Sequence, residues 1–175
     1  MITTEQAQYL IGLPKHIIEG ESVLDAKTIM PSEPYQERYY MISKEDEEFS
    51  FFWEIEQSSR KALKLTLHFQ EKDASIGLLR VDFNGRHKNP EIPNNYLPPE
   101  FHPFAGQWLD SYPGHIHFYI ESYQPLQWAL PLELDTFPVK QINLFHDMIT
   151  AAGAFAGRIN LKTTLEFKGQ TRVLL

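Results

Sequence analysis

The sequence predicts an α+β fold: one domain over residues 1–175, with an antiparallel sheet of five or six strands, one main helix on its apolar face and a short N-terminal helix. Three observations carry this reading. Several segments alternate apolar and polar residues with a period of two, the mark of strands with one buried face. The links between the first three of them are short, which favours an antiparallel meander. A single strongly amphipathic segment follows the strands, at about residues 138–153.

In chain order, Thr3 followed by Gln6 forms a capping-box pattern, and Gly12 with Pro14 ends a helix of about two turns. Residues 15–39 show no assignable pattern. Phe49, Phe51, Trp53 and Ile55 then alternate with polar neighbours, as do Leu63, Leu65, Leu67 and Phe69. In the third segment Gly77, Leu79, Val81 and Phe83 oppose Ile76, Leu78, Arg80 and Asp82. The stretch 84–114 is irregular and rich in proline, and it also carries Tyr96, Phe101, Phe104, Trp108 and Tyr112. A disordered linker would lack those aromatics, so the loop is expected to be ordered and anchored by burial of Trp108 and Phe104. A fourth strand puts Ile116, Phe118 and Ile120 on one face and His115, His117, Tyr119 and Glu121 on the other. Pro131 marks the fifth, QWALPLEL, as an edge strand. Asp135 or Thr136 caps the main helix, with Pro138 in its first turn, Ile142, Phe145, Ile149 and Ala152 buried, and Gly153 as its stop. A last strand alternates from Ile159 to Phe167.

The bulk properties exclude several functions. With no cysteine there is no disulfide, thiolate nucleophile or iron–sulfur site. The N-terminus has no basic region before an apolar run, and no window is apolar enough to span a bilayer, so a soluble, cytoplasmic protein without membrane association is expected. A net charge of -7 argues against duplex-DNA binding. Glu45, Asp46, Glu47 and Glu48 read as a solvated turn.

Two clusters carry the chemistry. One runs from Asp82 through Asn84, Gly85, Arg86, His87 and Lys88 to Asn89 and Pro90, where a strand enters the long loop. The other is His115-Ile116-His117, where the loop ends. Residues two apart on a strand share a face, so these imidazoles are neighbours, suited to a metal ion or to acid–base chemistry near neutral pH. If the third and fourth strands pair, Arg80, Asp82, His115, His117 and Tyr119 share one polar face, and His87 folds back over it. An exposed antiparallel face is polar in any case, so ordinary surface roles are the competing reading. His16, His68, His102 and His146 read as structural. The candidate catalytic set is therefore Asp82, His87, His115 and His117, with Arg80, Arg86, Asn89, Tyr119 and Trp108 as candidate binding residues.

There is no Walker loop, GxGxxG or GxSxG motif, and the His-x-His pair lacks a third ligand at recognisable spacing. No cofactor and no metal is assigned. The strings LLRVDFNGRHKNP and HIHFYIESYQPLQWALPLE resemble a family of small uncharacterised bacterial proteins that joins Asp-x-x-Gly and His-x-Asn-Pro to a later His-x-His strand and a Trp-Ala segment. More distantly the arrangement is similar to TumE-type toxins of toxin–antitoxin pairs. That resemblance implies a site at Asp82, His87, His115 and His117, and an antitoxin-like protein or RNA as partner. Three functions are thus expected to compete. The first is a binding domain with a histidine-containing polar site. The second is a toxin-like, metal-independent ribonuclease using His87 and His115 or His117, with Arg80, Arg86 or Lys88 against the phosphate. The third is a metal-dependent hydrolase.

Overall fold

The computed structural model describes residues 1–169. The fold is α+β, with a helix α1 (Thr4–Gly12), a second helix α2 (Phe145–Arg158), and strands β1 (His16–Glu19), β2 (Ser22–Val23), β3 (Ala26–Ile29), β4 (Gln36–Ile42), β5 (Ser50–Gln57), β6 (Leu65–Glu71), β7 (Ile76–Phe83), β8 (Gly114–Phe118), β9 (Trp128–Pro131) and β10 (Thr164–Phe167). Eight strands form one sheet in the order β2-β1-β4-β5-β6-β7-β8-β9, each antiparallel to its neighbour. β9 lies at the edge, as its proline predicts.

The sheet is larger than the expected five or six strands. The additional strands come from residues 15–42, where β4 buries only Tyr39 and Met41 and so shows little alternation. β10 leaves the main sheet altogether and pairs in parallel with β3, from Thr164 opposite Ala26 to Phe167 opposite Ile29. Its alternation is genuine, but its apolar side chains are only half-buried.

The capping box of α1 forms as the sequence predicts: Gln6 N donates to Thr3 Oγ1 and Thr3 N to Gln6 Oε1. The main helix starts later than predicted. The Asp147 carboxylate accepts from the backbone N–H groups of Asn143 and Leu144, which places the helix start at Phe145. The cap-like Asp135 serves a local turn, accepting from Phe137 N, and an ion pair with Arg158. α2 buries Met148, Ala151, Ala152, Phe155 and Ala156, while Phe145 and Ile149 are only half-buried and Ile142 is buried outside the helix. Gly153 lies within the helix. The stop is at Ile159, followed by Asn160 at φ 55°, a residue type that tolerates the left-handed region.

The apolar face of the sheet packs on α2, with Trp53 stacked 5.9 Å from Phe155. Trp53, Phe69, Leu79, Phe118 and Trp128 follow one another across five paired strands on that face. The opposite face of β7 and β8 is not the exposed polar surface expected. Leu78, Asp82, His115 and His117 are all buried, because His87 and the 122–126 turn cover them. Gly77 is required by that cover: a Cβ there would meet Leu126 Cδ1 at 2.7 Å.

Residues 84–114 have defined structure, including a 3₁₀ turn at Pro99–Phe104 and a bridge between Lys88 and Trp108. Leu97, Phe101 and Leu109 anchor the loop. Trp108 and Phe104 do not: Trp108 is 53% exposed and Phe104 only half-buried. Trp108 instead lies under the Arg86 guanidinium, which is 4.9 Å from its ring centre.

Candidate functional site

Strand register assembles the site. Thr66 of β6 pairs with Asp82 of β7, and Asp82 with His115 of β8. One pleat along, His68 pairs with Arg80 and Arg80 with His117. Side chains far apart in sequence thus lie one strand spacing, about 4.8 Å, from one another. Beyond β7 the chain turns at Asn84, which takes φ 55°, and Gly85, bringing His87 back over the sheet. The His87 ring lies 4.5 Å from that of His117 and 5.6 Å from that of His115, which are themselves 4.9 Å apart.

Asp82 is the hub. Its Oδ1 accepts from Thr66 Oγ1 at 2.6 Å and its Oδ2 from Arg80 Nε at 2.8 Å. Oδ2 is also 3.0 Å from His117 Nε2 and 3.6 Å from His115 Nε2. Arg80 Nη2 donates to His117 Nε2 at 3.1 Å, so the guanidinium bridges carboxylate and imidazole.

Hydrogen-bond partners fix two of the tautomers. A carbonyl only accepts, so the 2.8 Å contact between His117 Nδ1 and Leu126 O places a proton on Nδ1. Nε2 faces both Arg80 Nη2 at 3.1 Å and Asp82 Oδ2 at 3.0 Å, accepting from the guanidinium in the neutral ring and donating to the carboxylate when the ring is protonated. Leu126 presents this carbonyl from φ 61°, a region unusual for a bulky side chain and one in which strain collects at functional sites. For His87 the orienting group is Asn89. The Asn89 Nδ2 donates to Phe104 O and Ala129 O, and its Oδ1 accepts from Ala129 N, which sets the amide's direction. His87 Nε2, 3.0 Å from Asn89 Oδ1, must therefore carry the proton. Its Nδ1 is left as a free lone pair. His115 differs from both: its two ring nitrogens are buried and make no hydrogen bond among the described residues, the nearest acceptor being Asp82 Oδ2, 3.6 Å from Nε2.

Burial lowers the pKa of His87 below the ordinary histidine value, aided by the charges of His115 and Arg80 and opposed by the Asn89 contact. Burial pushes His117 down to about 4, with Arg80 adding to the effect. Burial alone would raise Asp82, but the His115 and His117 rings and the Arg80 cation hold its carboxyl well below the usual range. At neutral pH the centre is an Asp–Arg ion pair surrounded by imidazoles, two of them poised neutral.

The structure therefore brings together Asp82, His87, His115 and His117 of the predicted catalytic set, with Arg80 and Asn89 from the binding set. Arg86 and Trp108 flank the site at the surface, Arg86 donating to Asp110 Oδ2 at 2.9 Å. Tyr119 is not part of it. β8 ends at Phe118, and the Tyr119 hydroxyl donates to Ile2 O at 2.7 Å, toward α1. Sequence reasoning missed Thr66 and the Leu126 carbonyl. Thr66 is findable once β6 and β7 are put in register; the carbonyl leaves no trace in side-chain pattern.

Asp82, His115 and His117 each offer a donor atom, all within 4.8 Å of one another, a separation that a bound metal ion can span. Two of the three are engaged: Arg80 takes the lone pair of His117 Nε2, and Thr66 and Arg80 occupy the Asp82 oxygens. His115 is the one of the three that makes no hydrogen bond among the described residues.

Fold and centre define an α+β protein whose buried His–Asp–Arg cluster lies under a long loop. The chain belongs to a family of unknown function, DUF6978, whose profile matches residues 2–161 and so includes every residue of the cluster. No curated protein and no solved structure matches the chain.

Proposed function

We propose that this centre cleaves phosphodiesters by acid–base chemistry without a metal ion, in the manner of a small ribonuclease. The observation that carries this reading is the convergence of His87, His115 and Asp82–Arg80, with the His115 nitrogens buried and unpartnered. A buried polar atom without a partner costs roughly 1–3 kcal/mol. A reacting group that reached His115 would supply the missing contact. A site that only held a partner through histidine contacts has no need of buried, tautomer-fixed rings, so the binding-domain reading accounts for less.

In the proposed reaction His87 Nδ1, neutral at pH 7, takes the proton of a ribose 2′-hydroxyl. The 2′-oxygen forms a bond to phosphorus and the bond to the 5′-oxygen breaks. His115 returns a proton to that leaving oxygen. Arg80, held by Asp82, neutralises charge on the phosphorane. The products are a 2′,3′-cyclic phosphate and a 5′-hydroxyl. A toxin role in the cytoplasm, opposed by an antitoxin-like protein, is compatible with the TumE resemblance.

The test is cleavage of a fluorogenic single-stranded RNA in EDTA. Wild type should cleave it, and His87→Ala and His115→Ala should each lose at least 100-fold in kcat while keeping the wild-type circular dichroism. The metal-dependent reading, favoured by the clustered donor atoms of Asp82, His115 and His117, predicts the opposite: stoichiometric bound metal and full loss of activity in EDTA.

A further inference from the structure

A groove of about 230 Å³ lies beside the centre, between the 58–64 turn and β6, lined by Glu56, Ser58, Ser59, Arg60, Lys64 and Thr66 among others. It is continuous with the site. Thr66 lines the groove and donates to Asp82. Lys64 Cε lies 4.0 Å from the position a Cβ would take on Gly85, and that position is 3.8 Å from His115 Cε1. Among the described residues, the Arg60 and Lys64 side chains make no hydrogen bond and no ion pair, although the chain carries a net charge of -7. The other cations near the centre, Arg80, Arg86 and Lys88, are all paired with carboxylates. Ser58 Oγ accepts from the N–H groups of Arg60 and Lys61, which leaves its proton to donate outward. Glu56 is the one acid in the lining.

Resting on the acid–base reading above, we propose that this groove binds the phosphate next to the one being cleaved, so that the substrate is a single strand laid across β8, β7 and β6. Thr66 and His115 sit two strands apart, about 10 Å at the spacing of a sheet. One phosphate cannot reach both ends, whereas consecutive phosphates of one strand can. Lys64 stands between the two positions and serves both. Arg60 serves the outer phosphate alone, which makes it the residue that separates a chain from a mononucleotide.

The experiment uses the full chain carrying His87→Ala, which holds substrate without turnover, and two probes: a fluorescein-labelled single-stranded hexaribonucleotide, followed by polarisation, and uridine 3′-monophosphate, followed by NMR. Adding Arg60→Glu should weaken hexamer binding at least 10-fold, with the mononucleotide unaffected. Arg60→Gln, the milder variant, should weaken it less and reduce the slope of log affinity against log salt by about 0.7, the value for one phosphate contact on a single strand. Wild-type cleavage of the hexamer is read in parallel. If wild type cleaves but Arg60→Glu and Arg60→Gln leave hexamer affinity unchanged, the groove is not a subsite and the proposed reaction stands. If wild type neither binds nor cleaves the hexamer, the groove and the reaction fall together.

Discussion

At the scale of single residues, the centre is specified by groups that make imidazole nitrogens unequal. Asn89 is the clearest case. Three backbone contacts lock its amide, and the locked amide fixes the His87 tautomer. Asn89→Ala is expected to cost about 1–3 kcal/mol, because the Ala129 N–H and two carbonyls lose their partner, and to lower kcat more than it raises KM; urea unfolding and steady-state kinetics measure the two effects. The depressed pKa of His87 sets a second expectation. The acid limb of the kcat/KM profile should fall below 6.5, the ordinary histidine value, and should disappear in the residual activity of His87→Ala. An acid limb above 6.5 would rule His87 out as the base. The convergence of Asp82, His87, His115 and His117 was legible from sequence because each lies where alternation or a turn has a direct reading. Asp82 ends a strand, His115 and His117 share a face, and Asn84-Gly85 turns the chain back with His87. Tyr119 was misread because alternation says nothing about where a strand stops.

At the scale of elements, the two buried faces of β7 and β8 are the feature sequence did not disclose. The polar row reads as a solvated face until the covering segments are placed. A cover made of a histidine ring, a carbonyl and the lone Leu126 side chain gives no periodic apolar signature. Another device hidden from pattern analysis is Lys15. It is fully buried, and its Nζ donates to Ile11 O, Leu13 O and Ile159 O while lying about 5 Å from the Phe51 and Phe69 ring centres. One ammonium thus caps the C-terminal ends of both α1 and α2, where the helix dipole favours a cation. Lys15→Met fills the volume but leaves three carbonyls unpaired, and should destabilise the protein by roughly 3 kcal/mol. A thermal melt within a degree of wild type would show the clamp to be dispensable. The helix boundary was misplaced because Asp135 carries a cap-like signal spent on a turn and on Arg158. The true start depends on Asp147, three residues inside.

For the whole molecule, no helix among the described residues is long and apolar enough to cross a membrane. Part of the acid lies away from the centre, at Glu45, Asp46, Glu47 and Glu48, while Arg60, Lys64, Arg80, Arg86 and Lys88 lie around the centre, the last three paired with carboxylates. The total charge therefore describes the field at the site poorly. The buried centre also sets how stability responds to pH. His117 binds its proton at about 4 in the folded chain and near 6.5 in the unfolded one. The unfolded state takes up the proton first, so the His117 contribution should be complete above 6.5 and decline as pH falls from 6.5 to about 4, by on the order of 3 kcal/mol. Asp82 adds a further loss below its ordinary value of 3.8, because its folded carboxyl titrates lower still. Urea midpoints across this range should therefore fall in two stages, and His117→Gln should remove most of the first.

The most direct measurement of the proposed acid–base centre is long-range nitrogen–proton NMR of the histidine rings, on protein dialysed against EDTA. At pH 7 the account predicts two neutral rings of opposite tautomer, His87 protonated on Nε2 and His117 on Nδ1, with His117 staying neutral as the pH is lowered to 6. If His87 is charged at pH 7, or shares its tautomer with His117, or if the rings lose their ordered shifts once metal is removed, the metal-free centre described here is contradicted.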